Sequence, residues 1–183
     1  MRIRLAVASL VLVSVMPLRA TVVVPADLNE LAVSASAIVY ARITDVRALV
    51  SDDRLRVESL VTAEAIGYVK GNLGRTISFQ VPGGTVGAYK TTMIGAPSFQ
   101  AGEEVILFVG TGASVRPHLV GFSQGVYRVR VDERTGVRMV IPAPAFSTQT
   151  DTPLKRGTRA PMPLDEFAQR VREIVASGPR SVR

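Results

Sequence analysis

Residues 76–87 read T-I-S-F-Q-V-P-G-G-T-V-G, residues 95–110 read G-A-P-S-F-Q-A-G-E-E-V-I-L-F-V-G, and residues 118–127 read H-L-V-G-F-S-Q-G-V-Y. Strand-like runs alternate there with glycine-marked turns. Ile77, Phe79 and Val81 alternate with Ser78 and Gln80, which predicts a strand with one wet face. Pro82-Gly83-Gly84 closes it. Glu104 to Val109 is almost wholly apolar and reads as the most buried strand. Leu119 to Phe122 reads as a short strand before a turn at Gly125. Val126, Arg128 and Arg130 then face away from Tyr127, Val129 and Val131. Asp132 to Gly136 makes a turn, and Val137 to Ile141 returns as the hairpin partner.

The same reading extends to both sides of this block. Asp27 stands before a helical pattern with Glu30 three residues on, the spacing of a capping box, so a short helix is expected from Leu28 to about Ser34. Residues 37–50, A-I-V-Y-A-R-I-T-D-V-R-A-L-V, predict a long strand that bends at Asp45. Leu55 to Ile66 predicts a second long strand; helix is the competing reading, because Ala and Glu are frequent. A turn is expected at Gly67 to Asn72. Thr85 to Pro97 reads as a loop or ragged hairpin around Gly87, with Val86, Tyr89, Met93 and Ile94 packing over the body of the protein. From Pro142 to Pro163, prolines break every period, and a linker is expected. Leu164, Phe167, Val171, Ile174 and Val175 then share one helical stripe, so residues 164–176 form an amphipathic helix and 177–183 a loose tail.

The chain is 183 residues long, and its start reads as a secretory signal. Arg2 and Arg4 precede a largely apolar run from Leu5 to Met16, shorter than the about 20 residues of a spanning helix. Residues 1–20 are therefore expected to be a signal peptide cut after Ala20, where −1 is small but Leu18 at −3 departs from the usual small residue. The domain proper would be residues 21–141, in the periplasm or outside the cell, with no transmembrane segment after cleavage. Five or six antiparallel strands with a short N-terminal helix and a C-terminal helix predict a mainly β fold, closed as a small OB-like barrel.

Composition removes several kinds of chemistry. With no cysteine, disulfides, Cys-zinc sites and thiol catalysis are excluded. His118 is the only histidine, and a zinc site needs three or four ligands, so no metal and no cofactor is expected. Glu103 and Glu104 are neighbours and point to opposite faces of a strand. Asp52-Asp53 and Asp132-Glu133 occupy turns. No G-x-S-x-G or S-x-x-K set is present, and P-G-G-T-V-G lacks the Gly-Lys-Ser/Thr of a phosphate loop. The formal charge is +7, yet the basic residues are scattered, and no aromatic set lines a basic groove, so nucleic acid is not an expected partner.

The chain resembles a family of uncharacterised exported bacterial proteins. The likeness rests on L-x-x-L-A-x-x-A-x-x-I-V-x-A-R-I-x-x-V at Leu28–Val46 and V-K-G at Val69–Gly71. It continues with P-G-G-x-x-G at Pro82–Gly87, G-A-P-x-F-x-x-G-E-x-V-x-L-F at Gly95–Phe108 and V-G-F-x-Q-G at Val120–Gly125. It implies no activity. A remoter similarity, to the pattern A-D-x-V-V-x-G-x-V…V-x-x-V-x-K-G, is to the netrin-like barrel of tissue inhibitors of metalloproteinases. It implies the barrel alone, because those inhibitors act through an N-terminal cysteine.

The functional expectation is a non-enzymatic exported binding or accessory domain. Its loops would contact an exported protein such as a protease, or an envelope component. The expected rim is Gly83, Gly84, Thr85, Gly87, Tyr89, Pro97, Phe99, His118, Gln124 and Gly125. The alternatives are an envelope assembly protein docking through its C-terminal helix, with Phe167, Val171 and Ile174 as ligand, or a hydrolase with an unrecognised site.

Overall fold

The computed structural model describes residues 26–51, 56–112, 116–143 and 160–178. The expected signal peptide and its cut, the Asp52-Asp53 turn, most of the Pro-rich linker and most of the tail lie outside them. The elements run α1 (Leu28–Ser34), β1 (Ala37–Val50), β2 (Val57–Lys70), β3 (Thr76–Pro82), β4 (Gly84–Val86), β5 (Tyr89–Thr91) and β6 (Glu104–Gly110). There follow β7 (His118–Leu119), a 3-10 turn at Phe122–Gly125, β8 (Val126–Val131), β9 (Arg138–Pro142), β10 (Met162–Pro163) and α2 (Leu164–Ser177).

Eight strands form one antiparallel sheet in the order β10-β9-β8-β6-β1-β2-β3, with β7 paired to the end of β6 that β8 leaves free. β4 and β5 form a separate two-stranded ribbon. Strand β1 is the hinge of the sheet: Ala37–Arg42 pairs with β6, while Ile38–Val50 pairs with β2. A register shift between Ile43 and Asp45 leaves Thr44 unopposed. That is the bend expected at Asp45.

The apolar run of β6 is explained by burial on both faces. Ile106 and Phe108 join Ile38, Tyr127, Val129 and Val140 under the two helices. Val105, Leu107 and Val109 point the other way, into a second cluster with Ile43, Val61, Phe79 and Val126. On the helical side Phe108, Tyr127 and Phe167 form a ring cluster with centroids 5.0–6.5 Å apart. Leu31 of α1 and Val171 of α2 lie in the same layer. The C-terminal stripe thus docks on its own sheet, with Phe167 and Val171 fully buried.

This arrangement overturns the expected OB-like, netrin-like β-barrel. Among the described residues the fold is mixed α/β, with two sheets and two helices, and neither sheet closes into a barrel. β3 ends one side of the large sheet and the two-residue β10 ends the other, with no ladder between them. The physical reason lies in β1 and β6. A small barrel packs one face of each strand inward and leaves the other to solvent or loops. Here the second face of both strands carries Ile38, Ile106 and Phe108, and two helices are required to cover it. β8, β9 and β10 extend outward beneath those helices instead of returning to β3.

Local differences are instructive. β2 runs on to Lys70, so Gly67–Lys70 is strand and the turn begins at Gly71. The extension lets Lys70 Nζ donate to the carbonyls of Ala32 and Val33, at 2.8 and 3.1 Å, closing the end of α1. Asp27 is the N-cap of α1, its carbonyl accepting the Leu31 N–H at 3.0 Å, but its side chain makes no cap bond; its carboxylate accepts from the Asn29 side chain at 3.1 Å. Val120 and Gly121, expected in a strand, form the approach to the 3-10 turn that Phe122 opens, and Pro163, expected in the linker, pairs in β10.

Candidate functional site

The site is framed where β3 turns into the β4–β5 ribbon. Gly83 and Gly84 adopt φ of 104° and 149°, a region closed to most side chains. A Cβ on Gly84 would stand 3.0 Å from Ser59 Oγ and 3.1 Å from Val57 Cγ1, so the ribbon lies directly on the β1–β2 hairpin. Polar groups pin it there. The Gly83 N–H donates to Val57 O at 3.0 Å, Ser59 Oγ donates to Gly83 O at 2.8 Å, and the Val57 N–H donates to Thr91 Oγ1 at 2.9 Å.

Between the ribbon, the hairpin and the loop entering β6 lies an open cleft of about 220 Å³. Val61, Val81 and Phe99 supply its buried floor, and Met93, Ala96 and Pro97 part of its wall. Phe99 is held edge-on against Phe79, centroids 5.5 Å apart. Among the described residues no ionisable side chain lines the cleft; its Ser59 and Thr91 hydroxyls bond to the backbone, and Thr92 and Ser98 also stand in the lining. What the cleft offers a ligand is chiefly apolar surface.

Strand alternation places Tyr89 on the same ribbon face as Thr91, which lines the cleft. Tyr89 is nevertheless 72% exposed, and beyond the ribbon Met93 is 43% and Ile94 90% exposed. This corrects the expectation that these side chains pack over the body of the protein.

The predicted rim therefore separates into two groups. Gly83, Gly84, Pro97 and Phe99 line the cleft, and Thr85, Gly87 and Tyr89 stand on the adjoining ribbon. His118, Gln124 and Gly125 lie elsewhere, around β7 and the 3-10 turn. Gln124 Oε1 accepts the Ala26 N–H at 2.7 Å and so holds the entry to α1. Gly125 is packed so closely that a Cβ would fall 1.9 Å from the Val120 carbonyl oxygen. The His118 ring lies over Gly110, its Nε2 at 2.6 Å from where a Cβ would be.

Sequence reasoning missed a charged cluster on β1, β6 and β9. Glu104 Oε1 accepts from Arg42 Nη2 at 2.7 Å, while Oε2 accepts from the Tyr40 hydroxyl and faces Arg138 Nε at 3.7 Å. The hydrogen bonds from Arg42 and then Tyr40 hold the Glu104 carboxyl below its ordinary range. Burial, followed by Glu104, raises Tyr40. Its signal was the pairing of Arg42 with Glu104 across β1 and β6, which requires the long-range register. Both carboxylate oxygens are engaged, so the cluster fastens strands and offers no free base. Nearby, Arg128 donates to Ser98 O at 2.7 Å and faces Glu103 at 3.7 Å, tying the cleft loop to β8.

A larger hollow of about 370 Å³ lies at the far end of the β1–β2 hairpin, with Arg56, Glu58 and Arg116 in its lining. Leu49 and Val50 share its wall with Ser51, Gln80 and these charged groups, and the Arg116–Gln80 bond lies along it at 3.3 Å. Among the described residues no group of three or more histidines, cysteines and carboxylates gathers, and no helix is long and apolar enough to cross a membrane. No family model, curated protein or solved structure matches the chain.

Proposed function

We propose that this chain is a non-enzymatic, exported binding domain that holds another exported or envelope protein through the loops of residues 83–99. The observation that carries the reading is the uncharged cleft with Tyr89, Met93 and Ile94 uncovered beside it. Solvent-exposed apolar clusters of this kind mark interaction surfaces. The size favours a protein over a small molecule: about 220 Å³ falls below the roughly 300–1,000 Å³ of small-ligand pockets and suits one or two anchoring side chains. Proton-transfer chemistry needs a titratable group within reach of the substrate, and the cleft lining has none. Export rests on the signal-like residues 1–20.

The test is site-specific photocrosslinking in the envelope of the native host. A photoreactive residue at Tyr89 or Ile94 should yield a discrete protein adduct. The same residue at Arg172, exposed on α2, should not. Absence of adducts at both ribbon positions overturns the reading. The assembly alternative loses its ligand, because Phe167 and Val171 are buried within the chain.

A further inference from the structure

With no cysteine in the chain, its thioethers are the side chains that a peroxide oxidises most readily, and exposure decides which goes first. Three methionines lie among the described residues. Met162 is buried beneath the helices, in the layer of Phe167 and Val171. Met139 is half-buried in β9, between β8 and β10. Met93 is 43% exposed, and of the three it alone lines the cleft.

The backbone of Met93 is fixed while its side chain is open. The Ala96 N–H donates to Met93 O at 3.2 Å. Gly95 takes a φ of 85°, the positive value that a type II turn needs at its third residue. The turn holds Ile94 out in water and leaves Met93 where the cleft wall meets solvent. An oxidant reaches its sulfur without any part of the fold opening.

We infer that Met93 is a modification site whose oxidation to the sulfoxide disables the cleft, an inference that rests on the binding reading above. A sulfur lone pair attacks one oxygen of a peroxide as the O–O bond breaks. The sulfur gains an S–O bond and is oxidised by two electrons, and hydrogen peroxide is reduced to water. The product sets a strongly polar oxygen in a wall that was apolar. An anchor seated over Val61, Val81 and Phe99 then buries that oxygen, at a cost that opposes binding. The location proposed above is an oxidising one, and methionine sulfoxide reductases, one for each sulfoxide epimer, reverse the step.

The first measurement is peptide mapping by mass spectrometry after timed exposure of the purified protein to hydrogen peroxide. Met93 should oxidise about threefold or more faster than Met139 and about tenfold or more faster than Met162. Circular dichroism should stay unchanged while Met93 alone is modified. The second measurement uses protein with a photoreactive residue at Tyr89, treated with peroxide, freed of it, and irradiated with the envelope of the native host. Oxidation should lower the adduct yield about fivefold or more, and the two reductases together should restore it. In Met93→Leu the yield, whatever its starting level, should not change with peroxide. Met139→Leu should remain as sensitive as the wild type.

Oxidation of Met139 or Met162 ahead of Met93 overturns this inference and leaves the binding reading standing. So does an adduct yield that survives full oxidation of Met93, or one that falls in oxidised Met93→Leu. Absence of any adduct from the untreated protein overturns both.

Discussion

A single methyl group tests how tightly the turn before β8 is built. A Cβ on Gly125 would overlap the Val120 carbonyl oxygen, so Gly125→Ala should destabilise the protein by about 1–3 kcal/mol, read as a lower urea midpoint. Gly84→Ala carries a different penalty, a φ of 149° together with contacts against Ser59 and Val57. It should cost about 1–3 kcal/mol and weaken partner binding as well. Glu104→Gln should cost about 1–3 kcal/mol at neutral pH by releasing the Arg42 and Tyr40 bonds. The carboxyl is held below its ordinary range when folded. Its stabilisation is thus present above the unfolded value, about 4.3, and is lost as pH falls through the lower folded value. Urea unfolding at stepped pH should show wild type and variant converging in acid. At this scale the sequence was partly legible. P-G-G announced backbone that only glycine tolerates, and the structure places positive φ there. Gln124 gave no hint of its bond to Ala26, because nothing local relates residues at opposite ends of the core.

Elements were legible where the pattern was local. The α1 bounds, the bend in β1 and the β8–β9 hairpin all follow from period and turn chemistry. Glycine reads as a terminator, which ends the predicted second strand before Gly67, whereas that residue pairs with Tyr40 inside the ladder. The residues around the ribbon were read as covered because they are apolar. Exposure of Ile94 and Tyr89 is a property of tertiary position, and it is the departure from local rule that marks the site. α2 supplies the sharpest test of packing. Phe167 closes the ring cluster over Phe108 and Tyr127, and Phe167→Ala should cost about 3–5 kcal/mol, seen as a large drop in Tm. Tyr89→Ser with Ile94→Ser should leave Tm nearly unchanged, since both side chains stand in water.

For the molecule as a whole, hairpin counting predicts a closed barrel, and reading Glu104–Val109 as the most buried strand does not by itself reveal that both of its faces need cover. Continuous hydrophobicity marks a strand covered on both faces, and both of its faces are filled. One layer is completed by α2, so a chain ending before Ala160 should keep strand content yet bind a hydrophobic dye such as ANS. The same layering sets the tempo of self-assembly. Ala37 pairs with Val109, and Leu31 shares its cluster with Val171. The helix that leaves the ribosome early, α1, must wait for α2, made after every strand. Acquisition of the native state should therefore follow the emergence of α2, on the millisecond-to-second scale of long-range strand pairing, and a product clipped before α2 should be degraded rather than accumulate.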